Sequence, residues 1–387
     1  MVLPVLGGLL LAAGMDTVWN GTLGRSVNPA LEPDDPNYAA LVTPSPTLLL
    51  LHTDEADELA SVALLSLWPN DEGGGVILLP VATQADVDGT PLTLRQAYAA
   101  GGSASVETAV QNVLNVGIGE TEQLDDASWD ELVAPVAPLS LTLPEAVGDL
   151  WPAGSVELDA SDVGLFLRTA EEAETELNRV ARHELFWEAW VQAMSDGEPA
   201  APRGGEAEPA DADFGMQRFL QGLASGPVMV SSLPVVPGDA VEADSGDEAE
   251  QEVFAAEDGL VASLAAEAIP YPTEPTPGSR VRIRLLNGTN EADLTVRAVE
   301  PLVRQGAEIA ISGNASSFDE PRTRFVYTDE DQEGAATWLR AAFGVGTVEL
   351  RPSEDDPDQI EETQRIDVTV ILGTDAAAAI RRSETTG

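Results

Sequence analysis

The chain has 387 residues, and 67 acidic against 19 basic residues leave a formal charge of −48. A surface of that sign repels nucleic-acid phosphates and anionic headgroups, so it argues against both as partners of the whole chain. There is no Cys, which excludes thiol catalysis, disulfides and Cys-based zinc sites and leaves the redox compartment open.

Length alone predicts two domains. The charge is uneven: from Arg280 onward 12 Arg face 20 acidic residues, leaving 7 Arg against 47 in the first 279 positions. Every basic residue is Arg. The bulk negative charge reads as a solubility or high-salt adaptation, or as acidic linkers. The two histidines, His52 and His183, are too few for a His-based metal site without carboxylate help.

Residues 1–15 are apolar, about the length of a signal-peptide core and short of the roughly 20 residues that span a bilayer. They lack a basic flank, which reads as the remnant of a signal anchor, with a buried N-terminal segment of a cytoplasmic domain as the alternative. Residues 16–46, with Pro29, Pro33, Pro36, Pro44 and Pro46, read as an irregular lead-in. Apolar runs at Thr47–Leu51, Val62–Trp68 and Gly75–Val81 predict buried strands, the last two joined by a turn from Asn70 to Gly75. Leu92–Leu114 predicts a helix broken at Gly101-Gly102-Ser103. Trp129, Leu132 and Val133 predict a short helix, and Leu139–Leu143 a strand. Strands and helices in this order argue layered α/β packing.

From Ser155 to Met194 the chain becomes chemically suggestive. Asp159 or Ser161 is placed to cap a short helix holding Val163, Leu165, Phe166 and Leu167. Arg168, Arg179 and Arg182 then fall within fifteen positions. At 100° per residue, Arg179, Arg182 and His183 share a helix face with Phe186 and Trp190. An inward basic cluster is what an anionic ligand such as a phosphate requires. Against this, Glu172 or Glu176 lies one turn before Arg179 and offers an ordinary ion pair, which spacing alone favours.

Residues 195–213 lack apolar content and read as a disordered insert. Phe214–Leu223 predicts an amphipathic helix, followed by the apolar Val228–Val236. Residues 237–278 read as an acidic and Pro-rich linker, with a helix over 253–269 and a stiff extended segment from Pro270 to Gly278.

The region from Arg280 to Asn314 is the cleanest folding unit. Arg280, Arg282 and Arg284 alternate with Val281, Ile283 and Leu285, the period of a half-buried strand with its arginines toward solvent. Asn287-Gly288 marks a turn, and a turn constraint suffices to explain Asn287-Gly288-Thr289. A helix through Leu294, Val299, Leu302 and Val303 closes at Gly306, and a strand follows at Glu308–Ile311. Thr323–Thr328, Val345–Leu350 and Asp367–Leu372 predict further strands, and Glu333–Phe343 a helix. Arg351–Gln364 reads as an acidic loop, and 376–387 as a polar, frayed tail.

The segments VRIRLLNGT, Gly313-Asn314, TRFVYT and DVTVILGTD resemble the LytR C-terminal domain over residues 279–375. TLLLLHTD, VALLSLWP, VILLPVATQADV and VGLFLRTAEEAETELNRVARHELF follow the motif order of the LytR-CpsA-Psr (LCP) domain, so residues 47–236 resemble a degenerate copy of it. The resemblance implies a layered α/β/α LCP-like domain followed by a small α/β domain, in an extracytoplasmic protein held at the membrane by its N-terminus or secreted. It implies partners among envelope proteins, cell-wall polymer and polyprenyl phosphate lipid. Active members transfer a polymer from a polyprenyl pyrophosphate carrier to peptidoglycan, using arginines on the pyrophosphate and aspartates that help hold magnesium.

Here the resemblance puts Glu58 and Ala60 at the Arg and Asp of one motif, and Val81-Ala82-Thr83 after Pro80 at another. A later pair is reduced to Arg168 and Ala170. Arg168, Arg179, Arg182 and His183 remain as polyprenyl-phosphate-binding candidates, with no catalytic set and no metal ligands. The implied function is a pseudo-phosphotransferase without cofactor; a divergent phosphotransferase needing magnesium is the alternative.

Overall fold

The computed structural model describes residues 23–26, 31–170, 174–196, 215–238, 252–351 and 365–385. The apolar stretch 1–15 lies outside them, as do most of the insert at 195–213 and of the acidic segments near 240–250 and 352–364. Two compact units are present. The first is Pro46–Leu264; the second joins the segment ending at Ser45 to Ala265–Gly387. Two short strands of the second unit, β1 (Leu23–Ser26) and β2 (Ala39–Val42), open the chain.

In the first unit β3 (Thr47–Thr53), β4 (Leu59–Leu67) and β5 (Gly74–Leu79) form an antiparallel core. The β4–β5 turn is made by residues that tolerate positive φ: Asn70, Asp71 and Gly73 at 67°, 55° and 84°. A hairpin follows, β6 (Thr83–Val87) with β7 (Thr90–Thr93). Helix α1 (Leu94–Leu114) starts at a capping box between Thr93 and Gln96 and leaves helical geometry at Gly101 and Gly102, as the sequence predicts. Next come β8 (Glu120–Leu124), α2 (Asp126–Val133), the paired strands β9 (Leu139–Leu143) and β10 (Gly154–Leu158), and α3 (Val163–Arg168). The long α4 (Glu176–Asp196) and α5 (Met216–Ala224) precede β11 (Val228–Ser232).

The main sheet has the order β11-β5-β4-β3-β8, with β11 and β8 parallel to their neighbours. β3 and β4 are buried nearly throughout because both sheet faces are covered. Leu48, Leu50, Leu65, Leu67, Val76 and Leu78 meet Val180, Phe186 and Trp190 of α4 and Phe219 of α5 in one core. Leu49, Leu51, Leu64 and Ile77 alternate to the other face, the side of the sheet left to α1. This is the layered α/β/α arrangement. Four aromatic rings, Trp129, Phe186, Trp187 and Trp190, pack against one another with centroids 5.1–6.1 Å apart, edge-on or tilted as ring quadrupoles prefer. A small second sheet, β12 (Val235–Pro237), β13 (Phe254–Ala256), β6 and β7, completes the unit. Residues 254–256, expected to begin a helix, are thus a strand parallel to β6. The helix α6 starts only at Asp258 and ends at Ala268.

The second unit is built on β14 (Val281–Asn287), α7 (Leu294–Arg304) and β15 (Ala307–Asn314), the strand–helix–strand unit expected from the sequence. After it come β16 (Arg324–Tyr327), α8 (Glu333–Arg340), β17 (Thr347–Leu350), β18 (Val368–Leu372) and α9 (Thr374–Glu384). The sheet order is β1-β2-β15-β14-β18-β16-β17, with β14 parallel to both of its neighbours. Ile283, Leu285 and Val370 meet Leu302, Leu339 and Ile380 in its core.

Four expectations are corrected here. The lead-in is not wholly irregular: β2 pairs antiparallel with β15. Pro270–Gly278 is not a free spacer, because Tyr271 is buried and exchanges backbone and side-chain hydrogen bonds with Ser45. The tail beyond 376 is not frayed, since Ala376, Ala377 and Ile380 bury one stripe of α9. The arginines of β14 are not its solvent face. Arg280 and Arg284 are buried, because β14 is a central strand with both faces covered. Arg280 donates to the carbonyls of Ala307 (2.9 Å) and Val303 (3.3 Å), and burial pulls its pKa down to about 10.

Candidate functional site

Helix α4 turns Arg179, Arg182 and His183 inward, on the same side as Phe186, Trp187 and Trp190. The helical period carries them there, because the aromatic stripe must be buried and these three positions share it. Each is nonetheless held from within. Arg179 Nη2 donates to the Glu176 carboxylate one turn earlier, the ion pair that spacing favours. The other Glu176 oxygen accepts the backbone N–H of Val81 at 2.9 Å. Arg182 Nη2 donates to the Thr169 carbonyl at 2.5 Å, its Nη1 lies 3.5 Å from Glu174, and its guanidinium stacks over Phe166. His183 donates Nε2–H to the Leu167 carbonyl at 2.8 Å. Burial, then Arg179 and Arg182, push its pKa down to about 3, so the ring is neutral.

Arg168 does not join this trio. It sits at the end of α3, where Nε donates to Asp126 Oδ2 at 3.0 Å and Nη2 to Glu55 at 2.8 Å. The other Asp126 oxygen accepts from His52 Nε2 at 3.1 Å. A chain of charge-assisted contacts thus leads from exposed Glu55 through Arg168 and Asp126 to His52, which is 1% exposed. Burial lowers the pKa of His52 despite the carboxylate beside it. Asp126 and His52 were missed at the sequence level. The only signal for Asp126 was its place in the first turn of a short helix, next to the capping Asp125.

The positions at which the LCP resemblance loses its charged groups are also visible. Glu58 is exposed, Ala60 is buried on β4, Val81 is buried beyond β5, and Ala170 is exposed. Among the described residues, no group of three or more His, Asp or Glu is arranged to hold an ion.

In the second unit, Asn287 is a structural residue. Its side-chain oxygen accepts from the Thr289 N–H and hydroxyl, and its amide donates to the Glu291 carbonyl, which closes an Asx-type turn. Gly313-Asn314 seats the N-terminal segment. The Asn314 amide donates to the carbonyls of Pro33 (2.7 Å) and Asp35 (2.9 Å), and a Cβ at Gly313 would lie 2.0 Å from the Tyr38 oxygen.

These features define a two-unit α/β protein whose second unit is a small sheet with parallel centre and helical cover. Residues 280–375 match the LytR cell envelope-related transcriptional attenuator family. The matched residues lie wholly within the second unit. Several solved structures are similar to this chain at low identity. Lin1025 from Listeria innocua is 15% identical, with a TM-score of 0.42 over 58% of this chain and 97% of that one. Bacillus subtilis TagT is 14% identical, with a TM-score of 0.45 over 64% and 96%. YwtF (TagT), a LytR-CPS2A-psr family protein with bound octaprenyl pyrophosphate lipid, is 13% identical, with a TM-score of 0.43 over 62% and 91%. No curated protein matches the chain in sequence. Among the described residues no helix is long and apolar enough to cross a membrane.

Proposed function

We propose that the chain is a cell-envelope-associated, non-catalytic protein: a pseudo-phosphotransferase that binds or scaffolds during cell-wall polymer assembly. In this reading it is extracytoplasmic and held at the membrane by its N-terminal apolar stretch. One observation carries the loss of catalysis. The inward arginines that would grip a pyrophosphate are already paired, Arg179 with Glu176 and Arg182 with Glu174. An incoming phosphate must displace two carboxylates that cost nothing to bring in, since they belong to the same chain. The motif positions now held by Glu58, Ala60, Val81 and Ala170 support the reading, because they offer no carboxylate pair for magnesium and fewer donors for transition-state charge.

Its partners are envelope proteins or cell-wall polymer, and a polyprenyl phosphate would have to displace the carboxylates now paired with Arg179 and Arg182. Two measurements test this. A transferase assay with a polyprenyl-pyrophosphate-linked glycan and magnesium should give no turnover above background, while co-purification from envelope fractions should recover a partner. Clear magnesium-dependent turnover would sink the proposal. Protease accessibility on whole cells checks the compartment.

One observation favours a second reading, a divergent phosphotransferase. Arg168 and Asp126 are each partly exposed and hydrogen-bonded to each other, so one guanidinium and one carboxylate remain within reach of a substrate. Under that reading Arg168→Ala abolishes a measurable turnover.

A further inference from the structure

A small cavity lies beside the main sheet, about 10 Å³ in volume, with His52, Ser61, Trp129 and Trp187 among its walls. A space of that size takes one water-sized occupant. Two of the wall residues carry a buried polar atom with no hydrogen-bond partner among the described residues, His52 Nδ1 and Trp129 Nε1. Both side chains are almost wholly buried, at 1% and 2% exposure. The two atoms are opposite in kind. His52 Nε2 faces the Asp126 carboxylate, which only accepts, so Nε2 carries the proton and Nδ1 keeps a lone pair. Burial lowers the pKa of the ring and so favours its neutral form. An indole Nε1–H, by contrast, only donates. The two rings meet edge-on with centroids 6.0 Å apart, a gap that one oxygen bridges with two hydrogen bonds of about 2.9 Å.

We infer that this cavity is an internal water site, in which one water donates to His52 Nδ1 and accepts from Trp129 Nε1–H. The ligand class follows from the pair. The indole N–H turns away a cation, and the imidazole lone pair turns away an anion. The remaining walls include Leu50, Val62, Leu78 and Leu167, which offer an ion no compensating charge. What fits is a neutral molecule of one heavy atom that both donates and accepts. Ser61 stands opposite His52 in the β3–β4 pair and offers a hydroxyl as third partner, the number a buried water usually has. Trp129 belongs to α2 and His52 to β3, so the water ties that helix to the sheet. It also closes the inner end of the chain of contacts from Glu55 through Arg168 and Asp126 to His52. The inference is independent of the phosphotransferase reading, since it uses neither Arg179 nor Arg182.

The test is NMR of the full chain labelled with 15N in its Trp and His side chains, joined to a crystal structure that shows ordered solvent. The crystal should place one oxygen within hydrogen-bond distance of both nitrogens. The Trp129 Nε1–H should give a water cross-peak of the sign that marks a residence time beyond nanoseconds. His52 Nδ1 should resonate as an acceptor nitrogen with a donor upon it. Trp129→Phe removes one anchor and should shift His52 Nδ1 toward a free imidazole nitrogen, whereas Ser61→Ala should leave the water cross-peak in place. The wild-type measurements decide the matter even if a variant fails to fold. A dry cavity or an ion within it would overturn the assignment. So would a Ser61 hydroxyl bonded directly to His52 Nδ1 with no water between them.

Discussion

Replacing Glu176 by Gln probes the most consequential contact in the first unit. The amide is nearly isosteric, so its one oxygen still accepts from Val81 N–H, but its NH2 then faces the Arg179 guanidinium donor to donor and the negative charge is gone. Both partners are buried, with side chains 7% and 10% exposed. Stranding a buried guanidinium costs about 3–5 kcal/mol when its partner is removed outright. With the shape and the Val81 hydrogen bond kept, Glu176→Gln is expected to cost about 3 kcal/mol. In a unit of this size that lowers the melting temperature by about 6–12 °C.

The variant should then recover stability in pyrophosphate, since an anion can now take the vacated role. A ligand at a hundred times its Kd restores about 2.7 kcal/mol. The assay is differential scanning fluorimetry of wild type and variant across a pyrophosphate series at constant ionic strength. The variant should respond strongly and the wild type weakly. If the variant melts with the wild type, the pair is energetically idle. If both respond equally to pyrophosphate, Glu176 does not occupy the anion site, and the reasoning fails.

Three further outcomes are expected. Trp190→Ala removes a fully buried ring from the four-ring cluster and should destabilise the first unit by about 3–5 kcal/mol, read by denaturant melts. Gly313→Ala places a methyl against the Tyr38 carbonyl; the amides of Ala39–Val42 should lose protection in hydrogen exchange while those of β18 keep theirs. Burial raises the Tyr271 hydroxyl from 10.0 to about 12. Its contribution is therefore complete below pH 10 and is lost as pH rises from 10 toward 12, where the unfolded chain ionises first. A spectrophotometric titration should show Tyr271 as the last phenol to titrate in wild type, a phase that Tyr271→Phe removes.

What the sequence made legible were features whose cause is local. The inward trio on α4 follows from helical period and the bulk of Phe186 and Trp190, and the Glu176–Arg179 pair from one turn of spacing. The hairpin β6–β7 carried a readable signal that went unused: Asp88-Gly89, with φ of 53° and 81°, is a turn dipeptide between alternating segments. The helix α9 likewise had an Ala-rich stripe ending in Ile380, hidden by the polar residues around it. Other features depend on elements far apart in the chain. Asp126 meets His52 only because α2 follows β8, which lies parallel beside β3. Arg280 and Arg284 read as a solvent face because alternation reports which residues share a side, not whether that side is covered. The burial of β14 on both faces is a property of the completed sheet.

The pairing of β2 with β15 makes the first unit an insertion. The chain lays down two strands of a sheet, departs at Ser45 to build a whole globular unit, and returns at Tyr271, which is hydrogen-bonded to that same Ser45. During synthesis the outer edge of β2 must wait for β15, made only after the whole insertion, a long-range closure of the kind that slows folding. A pull applied at β2 and resisted at the C-terminal helix loads the β2–β15 hydrogen bonds and the Asn314 clasp. A fragment beginning at Ala265 would also expose the long edge of β15, an open strand poised to recruit another chain.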